Sequence, residues 1–239
     1  MSKILNKLIT LSLFALLFSC SNNNSIYLTK LKNSPSYENS KLTLKHLITD
    51  EDDYLFNFEI DEYILGEQTN GNFEFQIANS AQGQHIHFIL NNGPYSAHYT
   101  NSFKKKLSKE NNIVLAFLSR SYHESVKNKD AYFIGQFGEE KIDLSKEFLF
   151  YSRPKGTYNG ADTEKILLDF YLINNTLSEE GNRVRATIND EEFFIYEWSP
   201  YIINGLPKGE TIIKLELLDN QNKLIENPFN PTTRTIILE

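Results

Sequence analysis

Sulfur is almost missing from this chain: it has one cysteine, Cys20, and one methionine, Met1. A single cysteine excludes an intramolecular disulfide. Once Met1 is removed with an export signal and Cys20 is modified, as expected below, Cu(I) and thiolate sites lose their soft ligands, and imidazole and carboxylate remain as metal donors. Arginine is scarce, at five residues: Arg120, Arg153, Arg183, Arg185 and Arg234. Lys104-Lys105-Lys106 is one short basic run in a chain with 24 basic and 31 acidic residues, which speaks against nucleic acid as a partner. Catalytic motifs are missing too. No Gly-x-Ser-x-Gly elbow, His-Glu-x-x-His helix or phosphate-cradling loop occurs. Carboxylate pairs such as Glu139-Glu140 and Asp52-Asp53 are common in any acidic chain and identify no cleft. A non-enzymatic protein is expected.

Long hydrophobic runs are also few. The most continuous, Leu8 to Phe18, is broken only by Thr10 and Ser12. As a helix it would be about 16 Å long, too short for a hydrocarbon core of about 30 Å. Lys3 and Lys7 precede it, and the whole has the layout of an export signal over residues 1–19. The run ends in Leu17-Phe18-Ser19-Cys20, which resembles the lipobox of bacterial lipoproteins, with Phe18 bulkier than the residue usual there. That resemblance implies lipidation at Cys20 and a protein tethered to the bacterial cell envelope, on its periplasmic or its surface face. Residues 20–25, Cys20 to Ser25, then read as the lipidated residue and a short flexible tether. Removing Lys3 and Lys7 leaves 22 basic against 31 acidic residues, a net charge of −9 that keeps a tethered protein soluble.

What the chain has in abundance is aromatic residues, 17 Phe and 13 Tyr, and these favour strands. Tyr54, Phe56, Phe58 and Ile60 alternate with more polar neighbours, as do Ile166, Leu168, Phe170 and Leu172, the period of a half-buried strand. The two stretches belong to a repeat. Each is followed by an acidic, glycine-containing loop and then by a matched strand: Gly83 to Asn92 in the first half, Gly181 to Asp190 in the second. Ile86, Phe88 and Leu90 stand where Val184, Ala186 and Ile188 stand, and Asn91-Asn92 and Asn189-Asp190 supply turn residues. Apolar runs at Ile113 to Leu118 and Ile212 to Leu218 follow in register. No stretch has a helical period. An all-β chain of two tandem immunoglobulin-like antiparallel sandwiches is expected, at residues 26–142 and 143–239. Leu28 and Leu42-Thr43-Leu44 would open the first and Phe148 to Tyr151 the second, with the boundary between Gly138 and Lys146.

His85 and His87 carry the main functional signal. At i and i+2 on a strand they share one face, with β-carbons roughly 7 Å apart, close enough to converge on one ion. His98 after the turn and His123 after the next strand are candidates to complete the set, with Glu124 and Glu110 as carboxylates. Imidazole suits Zn²⁺, Cu²⁺ or Ni²⁺. The second copy has Arg183 and Arg185 in place of the two histidines, so the fold does not demand imidazoles there and they point outward in this reading. The same two arginines share a face and could hold an anion.

Gly83-Gln84-His85-Ile86-His87-Phe88-Ile89-Leu90-Asn91, together with Leu115 to Glu124, resembles a group of little-characterised bacterial lipoproteins with a Gly-x-His-x-His sandwich domain, some labelled phosphopeptide-binding. Two functions are therefore carried forward. One is an envelope binding protein for a divalent metal or small polar ligand at the histidine face. The other is a non-catalytic module for a protein, peptide (including phosphopeptide) or glycan partner, with Tyr95, Tyr99 and Trp198 as an exposed aromatic patch.

Overall fold

A computed structural model describes residues 25–50, 53–108, 110–139 and 142–239. The expected signal, Cys20 and most of the tether lie outside the described residues. The first half contains β1 (Tyr27–Lys30), β2 (Lys41–Asp50), β3 (Asp53–Asp61), β4 (His85–Leu90), β5 (Ser96–His98), β6 (Ser102–Lys106), β7 (Asn112–Ser119) and β8 (Tyr132–Phe137). The second contains β9 (Phe148–Arg153), β10 (Gly156–Tyr158), β11 (Ile166–Ile173), β12 (Arg183–Ile188), β13 (Glu191–Ile195), β14 (Tyr201–Asn204), β15 (Gly209–Leu218) and β16 (Thr232–Leu238). One four-residue helix, α1 (Asn72–Phe75), lies in the loop between β3 and β4.

The all-β architecture expected from the sequence is present, and so is the repeat. In the first sandwich the sheet β2-β3-β6 covers the sheet β5-β4-β7-β8. In the second, β9-β11-β14 covers β13-β12-β15-β16. The strand orders correspond one for one. The second sandwich adds β10, paired in parallel with β16, and β1, paired antiparallel with β14.

That position of β1 corrects the sequence reading, which made Leu28 the opening of the first sandwich. Tyr27 to Lys30 pair with Tyr201 to Asn204, and Ile26 and Leu28 pack into the core of the second sandwich. The edge of β14 offers unpaired backbone groups, and an extended segment with alternating apolar residues satisfies them wherever in the chain it comes from. From β1 onward the chain thus runs along the second sandwich, crosses to build the first, and returns.

Alternation explains the cores. Phe56 and Phe58 of β3 point inward against Ile86 and Phe88 of β4 and Val114, Ala116 and Leu118 of β7. β7 is buried along its whole length, as is β11. Such runs are apolar on both faces because both faces are covered. The second covering is the contact between sandwiches. Ile89, Ile113, Leu115 and Phe117 of the first pack on Phe148, Phe150, Tyr171 and Ile173 of the second. Polar contacts cross here as well. Asp169 of β11, fully buried, accepts from the Ser125 backbone N–H and hydroxyl, each at 3.1 Å, and pairs with Lys127. It ties the loop between β7 and β8 to the second sandwich.

Candidate metal centre

The face of β4 that carries His85 and His87 is the face that meets the second sandwich. Both side chains are fully buried, at 0% exposure, which corrects the outward orientation expected from the sequence. Their surroundings are polar as well as aromatic. The Gly83 carbonyl can only accept a hydrogen bond, so the 2.8 Å contact places the proton of His85 on Nδ1 and leaves Nε2 a lone-pair donor. Gly83 holds that carbonyl at φ +83°, where a β-carbon would come within 2.4 Å of the Glu67 carbonyl oxygen. Only glycine fits. On His87, Nδ1 lies 3.1 Å from the hydroxyl of Ser152, which arrives from β9 of the second sandwich. Nε2 of His87 then meets Nε2 of His85 at 2.9 Å.

The third imidazole comes from the turn after β7. His123 has φ +69°, and the turn around it is closed by hydrogen bonds between Arg120 and Glu124 backbones and between His123 N–H and the Arg120 carbonyl. A buried ion pair between Arg120 and Glu124, at 3.1 Å, braces the same turn. His123 Nδ1 lies 3.1 Å from His85 Nε2 and 3.1 Å from the Tyr95 hydroxyl. One ring nitrogen from each of the three histidines falls within 4.8 Å of the others. Two hydroxyls border the cluster: that of Tyr95, and that of Ser119 at 3.2 Å from His87 Nε2. The Tyr95 ring also stacks on His87, with centroids 3.5 Å apart.

Electrostatics keep these rings neutral. Burial, with the charges of Arg153 and Lys155 adding to it, lowers His85 to about 4 in spite of the opposing bond to Gly83. His87 and His123 are held well below the ordinary imidazole range, first by burial and then by neighbouring imidazoles and the same two cations. A neutral imidazole has the lone pair a metal requires.

The other residues singled out from the sequence lie elsewhere. His98 pairs with Ile86, so it faces the opposite side of the sheet, stacked at 3.5 Å on Phe103 with Nε2 3.0 Å from the Ser96 hydroxyl. Glu124 is engaged by Arg120, and Glu110 lies just before Asn112, at the end of β7 away from Ser119. Arg185 is matched by Glu216 at 2.7 Å and Glu192 at 3.4 Å, while Arg183 bonds the Gly181 carbonyl at 3.1 Å. Of this pair, Arg185 therefore has its charge matched by carboxylates, whereas Arg183 is held by backbone carbonyls alone. Tyr95 is buried, and Trp198 lies against the core with its indole N–H on the Phe170 carbonyl at 2.9 Å, so no exposed Tyr95–Trp198 patch forms. Ser152 was not foreseen. It lies 65 residues from His87 in a different repeat, and no local pattern joins them.

No family model matches the chain, and no curated protein matches it. Among solved structures, the fibronectin(III)-like modules of Clostridium thermocellum CbhA are similar at 11% identity and a TM-score of 0.30, covering 79% of this chain and 86% of that one. The central fibronectin-III array of RIM-binding protein is similar at 13% identity and a TM-score of 0.28, over 87% and 70%. The Bacteroides ovatus SGBP-B of a mixed-linkage glucan utilization locus, in complex with a mixed-linkage heptasaccharide, is similar at 7% identity and a TM-score of 0.24, over 91% and 71%.

Proposed function

We propose that this protein is a lipid-anchored binding protein of the bacterial cell envelope that takes up a divalent transition metal at His85, His87 and His123. The single observation behind this reading is how the imidazoles are held. The donor nitrogens of His85 and His87 are 2.9 Å apart, and that of His123 is 3.1 Å from His85. Ligands about 2.0–2.1 Å from a tetrahedral Zn²⁺ stand roughly 3.3 Å from one another. The remote nitrogens of His85 and His87 each have a partner, Gly83 O and Ser152 Oγ, and such outer contacts set the tautomer and ring orientation of metal-bound histidines. One lone pair on His85 Nε2 is also shared between two neighbouring rings, a crowding that an ion at the centre would relieve.

The donor set favours Zn²⁺ or Cu²⁺ over Mg²⁺ or Ca²⁺, since it has three imidazoles and no carboxylate. The hydroxyls of Tyr95 and Ser119, or water, would supply the fourth position. An ion here would join β4 to the β7–β8 turn beside the contact between sandwiches. The role is binding, with no catalytic step assigned.

Elemental analysis of the untagged mature chain after refolding with Zn²⁺ tests this. About one ion per chain is expected, retained in His98→Ala and lost in His85→Ala with His87→Ala. Sub-stoichiometric zinc that the double substitution does not change would overturn the reading. A second function, an interaction module for a protein, peptide or glycan, is supported by Phe194 and Tyr196, exposed and stacked with centroids 6.4 Å apart at the outer strand of the second sandwich. Loss of partner binding in Phe194→Ser with zinc content unchanged would favour it.

A further inference from the structure

Every strongly buried cation in the ion pairs described so far has a carboxylate: Arg120 has Glu124, and Lys127 has Asp169. Arg153 does not. It ends β9, next in sequence to Ser152, and is 6% exposed. Its Nε is closed off from solvent without a hydrogen-bond partner. The surroundings are two aromatic rings, Tyr95 and Tyr158, whose centroids lie 5.8 and 5.6 Å from its Cζ.

Two more cations crowd the same place. Lys155 Nζ donates to the Tyr95 carbonyl at 2.7 Å and lies 3.7 Å from the centre of the Tyr95 ring. His87 stacks on that ring at 3.5 Å, so the lysine and the imidazole must occupy opposite faces of it. Arg234 lies over Tyr151 at 4.5 Å and donates to the carbonyls of Ser152, Asn92 and Gly93. Among the described residues none of the three is ion-paired.

A guanidinium N–H closed off from water without an acceptor is costly, and contact with aromatic faces offsets that only in part. Like charges side by side add to the cost. A negatively charged ligand removes both penalties, and the planar fork of arginine matches two oxygens of a carboxylate or phosphate.

We infer that Arg153 and Lys155 form a binding site for a small oxyanion, a carboxylate or a phosphate, beside Tyr95 and next to the histidine cluster. Arg234, already bonded to backbone, fixes the wall of the site and adds to its field. Arg153 supplies the two-pronged contact and Lys155 a movable point charge at the more open side. The site needs no metal and goes beyond the metal reading. It also differs in place from Arg183 and Arg185, of which Arg185 is paired with Glu216 and Glu192.

Isothermal titration calorimetry on the detergent-solubilised full chain, with EDTA present and in low-chloride buffer at pH 7, tests the inference. Inorganic phosphate and acetate are titrated separately, and their ranking tells a phosphate site from a carboxylate one. Saturable one-to-one binding of at least one anion is expected. Arg153→Gln should weaken it at least tenfold, Arg153→Lys by less, and Arg185→Gln should leave it unchanged. Should Arg153→Gln fail to fold, Lys155→Gln, at a half-buried position, should still weaken binding severalfold. The inference is overturned by the absence of saturable heat with either anion up to about 10 mM, or by binding that neither Arg153→Gln nor Lys155→Gln changes. Because zinc is absent throughout, failure here leaves the metal reading standing, and the reverse also holds.

Discussion

Acidifying the metal-free protein from pH 7 to pH 5 tests whether three neutral imidazoles are built into the contact between sandwiches. The sign follows from proton counting. An imidazole whose folded value lies below its unfolded value binds more protons in the unfolded chain, so stability falls as pH drops through the interval between the two. For His85 that interval runs from 6.5 down to about 4. Between pH 7 and pH 5 the unfolded state gains about three-quarters of a proton at this site while the folded state gains about a tenth. The loss from His85 alone is about 2 kcal/mol. His87 and His123 shift in the same direction, and His98, lowered to about 4 by its own burial, adds with the same sign. The carboxylates held low by partners, Glu197 beside Lys30 and Ser199, and Asp143 beside Ser145, contribute mainly below pH 5. Urea unfolding followed by tryptophan fluorescence, in EDTA, should show the midpoint falling by roughly 1 M or more, with a slope of about 2 kcal/mol per M. The double substitution of His85→Gln and His87→Gln should flatten much of that dependence. A midpoint that does not move between pH 7 and pH 5, or that moves equally in the double variant, would refute the account of buried neutral rings.

Two further outcomes concern how the centre is supported. Asp169→Ala leaves Lys127 and the Ser125 N–H without their buried acceptor, so unfolding free energy should fall by about 3 kcal/mol in urea titration. A loss below about 1 kcal/mol would show the carboxylate is dispensable. Gly83→Ala drives a β-carbon against the Glu67 carbonyl and shifts the oxygen that orients His85, so stability should drop by about 2 kcal/mol and zinc affinity by at least tenfold. Gly66→Ala is the comparison: it has φ +82° but open space around it, and it should show the conformational cost without the tenfold change.

Much of the architecture can be read along the chain because strand side chains repeat every two residues. Phe56 and Phe58, or Leu168 and Phe170, announce an inward face without reference to any distant residue. The correspondence of β4 with β12 and of β7 with β15 is visible for the same reason. The spacing of His85 and His87 also suffices to say that their rings share one face. Choosing the third ring requires pairing register. His98 stands opposite Ile86 and is thereby turned to the other core, whereas His123 is brought in by a turn with left-handed backbone.

What the sequence by itself determined is local: two alternating β units, a paired-imidazole strand, and a chain with one cysteine and one methionine. Tertiary structure decided which surfaces meet. A polar pair such as His85 and His87 reads as solvent-facing until a second sandwich brings Ser152 and Phe150 over the same sheet. Likewise the alternation of Ile26 and Leu28 suits either sandwich, and the open edge of β14 decides it. Local pattern records which way a side chain points relative to its own strand. What lies in that direction depends on contacts between segments far apart in the chain, and backbone hydrogen bonding at a free edge is indifferent to where the partner strand comes from.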